Sequence, residues 1–140
     1  IVDLKMLDGA QAEHRRLIGV LTDQLRATRP APLSIRMPTD RRALAIALRL
    51  ERDPSDATEL EQLAHDTGAS TRTLQRVFQA ETGLRFAQWR QRLRLLHATT
   101  LLGTGSSVTQ AAHESGYSST SAFVAAFRKT FRETPLRYCK

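Results

Sequence analysis

The sequence has a single cysteine, Cys139, in 140 residues. One thiol closes no internal disulfide, and no Cys/His spacing for zinc accompanies it, so neither kind of staple is expected. A domain of this length buries roughly 65–70% of its unfolded surface and needs none. Such cysteine usage fits a reducing compartment, and a cytoplasmic location is expected. No apolar run approaches membrane-spanning length, and no signal-peptide pattern is present, so no membrane partner is expected. No segment alternates convincingly with period two, which leaves a sheet without candidate strands and an all-α chain as the expectation. Also missing are a carboxylate pair in a pocket-like context, a nucleophile motif and a phosphate-cradling glycine loop. The chain is therefore not expected to be an enzyme, and no cofactor or metal is expected. Its four histidines, His14, His65, His97 and His113, are scattered. The first residue is Ile rather than Met, so the chain is expected to be a piece with something missing upstream.

Acid is lacking in one place. Between Arg72 and Arg94, six arginines face only Glu81. The whole chain carries a formal net charge of +7, most of it in residues 58–140. A basic region of this kind suggests a polyanion partner.

What is present reads as a series of helices. "AQAEHRRLIGVLTDQLRA" has an amphipathic pattern, with Leu17, Ile18, Leu21 and Leu25 on one face. "TRPAPLSIRMPTD" holds three prolines in thirteen residues and reads as a linker. A helix follows that Asp40 can cap, offering Leu44, Ala47, Leu48 and Leu50 to a core. Thr58 to Glu61 has capping-box form, and Gly68 ends that helix. Ser70 caps the next helix, and Gly83 suits its left-handed end. A longer helix runs to Gly103 and Gly105. Ser107 to Gln110 is a second capping box, Gly116 breaks the helix it starts, and a further helix spans about Ser119 to Phe131. Thr134-Pro135 starts a short last one.

The chain repeats itself. "LEQLAHDTGAS" matches "VTQAAHESGYS" with an offset of 48, and past the glycine the match continues with an offset of 49, so that Leu74 and Phe78 fall on Phe123 and Phe127. One extra residue thus sits in the second turn or at the start of its helix. Each unit is helix, glycine turn, helix. Ala64 and Ala112 are small where two helices must cross closely. His65 and His113 share one position, read as a polar site on the outer face. The helix between the units has two apolar stripes, Phe86/Trp89/Leu93/Leu96 and Leu95/Ala98/Leu101/Leu102, as a spacer buried against both units would.

The elements "RTLQRVF", "TG", "W…RL…A..LL", "SVTQAA", "GYSSTSAF", "AFRKTF" and "TPLRY" resemble the DNA-binding domain of AraC/XylS-type bacterial transcription regulators. The resemblance covers roughly Asp40 to the end. It implies two helix-turn-helix subdomains joined by a long linker helix, about 58–83, 85–102 and 107–132, each inserting its second helix into a major groove on one face of double-stranded DNA. Residues 1–39 are similar to the helical tail of an upstream ligand-sensing and dimerisation domain plus a linker. The resemblance also implies contact with RNA polymerase, and dimerisation through the missing upstream domain.

The first reading helix would present Ser70, Thr71, Arg72, Gln75, Arg76 and Gln79. Arginine matches guanine O6 and N7 with two hydrogen bonds, and glutamine matches adenine N6 and N7. The second would present Ser118, Ser119, Thr120, Ser121, Val124, Ala125 and Arg128, mostly small groups that discriminate bases less. Arginine is often found in the family where Ala125 stands, and glycine where Arg132 stands. If Arg132 takes positive φ, it costs about 1 kcal/mol. The competing reading is a helical protein-interaction module whose basic face binds an acidic partner.

Overall fold

The computed structural model describes residues 33–138, and all regular structure among them is helical. The apolar pattern 17/18/21/25 lies outside the described residues. The helices are α1 (Arg41–Arg52), α2 (Leu60–Asp66), α3 (Thr71–Thr82), α4 (Phe86–Gly103), α5 (Val108–Glu114), α6 (Thr120–Phe131) and α7 (Pro135–Tyr138). Two cores form. Ile46, Leu50, Leu63, Leu74, Phe78 and Trp89 centre the first, and Leu95, Ala98, Phe123 and Phe127 centre the second. The spacer α4 belongs to both, with Leu93 in one and Leu95 in the other. Leu96 packs with the second core rather than with Phe86 and Trp89 as its stripe suggested. Aromatic edges tie each core. Phe78 meets Phe86 at 5.1 Å and Trp89 at 5.2 Å, and Phe127 meets Phe123 at 5.5 Å. Such pairs contribute about 0.5–1.5 kcal/mol each beyond burial.

The repeat sets both turns. Ala64 and Ala112 are buried at the helix crossings, and their carbonyls accept the amides of Ala69 and Tyr117. The extra residue lies in the turn, which has four residues after α2 and five after α5. Ser70 and Ser119 cap the second helices by accepting the amides of Thr73 and Ala122, both at 3.1 Å. Those helices end alike. Gly83 has φ 76° and Arg132, at the equivalent position, has φ 63°.

Three expectations need correction. First, α1 buries Ala43, Ile46, Ala47 and Leu50, while Leu44 is half-buried and Leu48 is 38% exposed. Apolar residues surround this helix, so periodicity alone did not choose the face. Second, Thr58 does not cap α2. Its amide and hydroxyl are bound to Asp56 Oδ1 at 2.8 and 2.6 Å, and the cap position passes to Glu59 without a side-chain bond. Third, in the second box Ser107 caps α5 by accepting the Gln110 backbone amide, but the Gln110 side chain donates through Nε2 to Glu114 Oε1 instead of returning to the cap.

The stretch 33–39 is no free linker. Leu33 is buried in the second core, Ile35 and Met37 pack on the first, and Pro38 is buried. The indole of Trp89 donates to the Arg36 carbonyl at 2.9 Å. Apolar residues at 33, 35 and 37 do alternate with period two, as an extended strap lying on a surface requires. The compact unit containing the two cores accordingly begins at Leu33.

Candidate nucleic-acid interface

Inward Leu74 and Phe78 fix the rotation of α3, and Val77 is half-buried beside them. Arg72, Gln75, Arg76 and Gln79 are thereby exposed together and line one groove of about 740 Å³. Across the groove stand Leu60, Phe86, Ala87 and Arg85. Arg85 was not singled out from sequence; its place at the start of α4, just past the Gly83 turn, aims it at the same groove. Ser70 is exposed at the cap and Thr71 is half-buried. The Gln79 amide donates to the Gly83 carbonyl at 3.1 Å, which steadies its side chain along the helix.

The isolated acid is accounted for. Glu81 Oε2 accepts the amides of Thr39 at 2.6 Å and Asp40 at 3.0 Å. Those bonds, Asp40 first, hold its carboxyl below the usual carboxylate range. Glu81 therefore secures the end of the strap and adds no acid to the groove wall.

The arginine run divides into two groups. Arg72, Arg76, Arg85 and Arg92 are exposed. Arg90 and Arg94 are half-buried, and their guanidiniums donate to backbone carbonyls between Pro54 and Thr58. Burial, then the neighbouring Arg94, lowers the pKa of Arg90. The basic stripe read from sequence thus overstates the charge available to a partner by these two residues.

In the second unit Phe123 and Phe127 turn Ser121, Ala122, Ala125, Arg128 and Lys129 outward. Ser118 and Ser119 are exposed in the turn, and Thr120 is half-buried. Val124 does not belong to the outer face, since it is half-buried against the second core. Ala122 takes its place there, an exposed position visible from the same 3.6-residue period. Burial pushes the Tyr117 hydroxyl up to about 12, so this ring is a neutral part of the junction between the units. His65 is 85% exposed on the outer side of α2, and His113 is exposed on α5. No group of three or more ligating side chains that could hold a metal occurs among the described residues.

A helix-turn-helix domain family model matches residues 63–140. The chain belongs to the AraC-type helix-turn-helix family. It is 36% identical over 129 residues to the HTH-type transcriptional regulator NimR of Escherichia coli strain K12, covering 92% of this chain and 47% of the relative. It is 39% identical over 99 residues to the HTH-type transcriptional regulator RipA of Corynebacterium glutamicum, covering 71% and 30%. The chain thus spans less than half the length of these two relatives. Among solved structures, the DNA-binding domain of AdpA in complex with a target DNA superposes with a TM-score of 0.64 at 32% identity, covering 72% of this chain and 91% of that one. An AraC-type regulator from Chromobacterium violaceum gives 0.62 at 29% identity, covering 68% and 85%. The all-α architecture with two helix-turn-helix units is the AraC-type arrangement. No described helix is long and apolar enough to cross a membrane.

Proposed function

We propose that this chain is the sequence-reading module of a bacterial transcription regulator, with α3 and α6 entering adjacent major grooves on one face of double-stranded DNA. The observation that carries the proposal is the α3 face: Arg72, Gln75, Arg76 and Gln79 share one groove, with Glu81 turned to the strap. The likeness to the AdpA domain with its target DNA supports it. Arg72 and Arg76 suit guanine, and Gln75 and Gln79 suit adenine. Ser70, Thr71, Ser118, Ser119 and Thr120 suit phosphates at the two helix starts, and Arg128 suits a phosphate further along. Ser121 and Ala125 suit shallow contacts such as a thymine methyl. Residues 33–140 hold both readers, and the residues before them join the readers to an upstream domain through which the regulator dimerises. A cytoplasmic setting and a contact with RNA polymerase complete the reading.

The test is binding of the chain to duplexes recovered by selection from random DNA, and to scrambled duplexes, at two salt concentrations. Expected are a marked preference for the selected duplex and a log–log salt slope of about −0.9 per neutralised phosphate. Equal binding to selected DNA, scrambled DNA and an acidic polypeptide would favour the protein-interaction reading and end this one.

A further inference from the structure

The two units share α4, but a helix alone is a poor ruler, because long helices bend. If the reading helices sit about 35 Å apart, a swing of roughly 10° about a seam midway between them displaces one by about 3 Å. That is nearly one base-pair step of about 3.4 Å. Something beyond α4 must hold the angle.

The seam contains such a device. The loop between α1 and α2 belongs to the first unit. It is stiffened from within. Asp56 accepts from Thr58 through its Oδ1, and Arg49 Nε donates to its Oδ2 at 2.8 Å. This turns the loop carbonyls towards α4. Arg94 Nε donates to the Pro54 carbonyl at 3.0 Å, and its terminal nitrogen to that of Asp56 at 3.2 Å. Arg90 reaches the carbonyls of Thr58, at 2.9 Å, and Asp56. On the other side of Arg94 lies the turn of the second unit. A Cβ on Gly116 would stand 2.8 Å from Ser55 Cα and 3.1 Å from Arg94 Cζ. The loop of one unit, the guanidinium and the turn of the other are in direct contact, two residues before Ser118 and four before α6.

We propose that Arg94, gripping the loop while Gly116 closes over it, is a positioning residue that fixes which spacing between two half-sites the module accepts. This rests on the two-groove reading above. Arg94 touches no base in it. Its effect is on where α6 lies relative to α3.

The test uses the full chain and duplexes carrying the two half-sites recovered by selection, with zero, one or two base pairs added or removed between them. Wild type should favour one spacing by about fivefold per base pair of offset, the size that a second reader with shallow contacts allows. Arg94→Met keeps an unbranched stem and loses the guanidinium. It should bind a duplex carrying only the first half-site like wild type, yet distinguish the spacings by less than about threefold. Arg94→Lys, which can still reach one carbonyl, should recover part of the preference. If melting shows that Arg94→Met does not fold, Gly116→Ala presses on the same contact from the other side and is measured on the same duplexes. An unchanged spacing profile overturns the proposal. So does an equal loss at every spacing with loss of half-site binding, which would make Arg94 merely structural. If wild type itself shows no preferred spacing, it is the two-groove reading that fails.

Discussion

Arg132 closes α6 at φ 63°, with its amide on the Arg128 carbonyl at 2.9 Å. A side chain in this region pushes Cβ towards the following carbonyl oxygen, at roughly 1–2 kcal/mol. Replacing Arg132 with Gly removes that strain. Against this, glycine gives the unfolded chain extra freedom, about 0.4–1 kcal/mol. The side chain is exposed, so little packing is lost. The net should be a stabilisation of about 0.5–1 kcal/mol. In a unit of about 100 residues this raises Tm by roughly 2–8 °C. Two controls lie in the same sequence. Arg132→Ala removes the charge but keeps the strain, and should gain far less. Gly83 holds the equivalent position at φ 76° with open space around its would-be Cβ, so Gly83→Arg should lose about what Arg132→Gly gains. Thermal and denaturant melts of the three variants measure this. If Arg132→Gly melts at or below wild type, or Arg132→Ala gains as much, the backbone strain is not what limits the end of α6.

Arg72→Ala or Arg76→Ala should each cost on the order of 1–3 kcal/mol of binding and relax preference at one base pair; equal loss on selected and scrambled duplexes would make the residue a phosphate contact. In a binding-site selection, base preference should be sharp under Arg72 to Gln79 and blurred about one turn away, under Ser119 to Ala125. Equal information in both halves would refute the ranking of the two readers. Asp56 should show in an acid titration of stability. Burial opposes its ionisation, but the bonds from Thr58 and Arg49 prevail and hold its pKa at about 2. A folded pKa below the unfolded one stabilises above about pH 4, and that share is lost as pH falls towards 2. Asp56→Asn should flatten the fall, and an identical acid profile in the variant would exclude Asp56 as its source.

Much of the architecture was legible because it depends on local chemistry. Gly68 and Gly116 mark turns with φ of 67° and 79°, and Ser70, Ser107 and Ser119 mark helix starts that form as read. The repeat then placed Phe78 and Phe127 in equivalent cores. The α3 face followed from one rotation set by Leu74 and Phe78. What misled were places where a second partner competes. Thr58 fits a capping box, but Asp56, two residues earlier, binds its hydroxyl first. The chain 43–50 is apolar on several sides, so only the neighbouring elements decide that Ile46 is in and Leu48 out. Arg90 and Arg94 resemble the other arginines in sequence, and only the distant loop carbonyls reveal them as internal. The strap was hidden by its prolines, although the alternation at 33, 35 and 37 and the need of Trp89 for an acceptor were both visible.

The strap also changes where this module can be cut and joined to another domain. The family-model match begins at residue 63, yet a chimera started there would lack α1, and one started at Asp40 would still strip Trp89 of its acceptor and Glu81 of the Thr39 amide. A transplantable unit begins no later than Leu33. Because the last residues before α1 seat in both cores, the strap is part of the reading unit and has to travel with its helices.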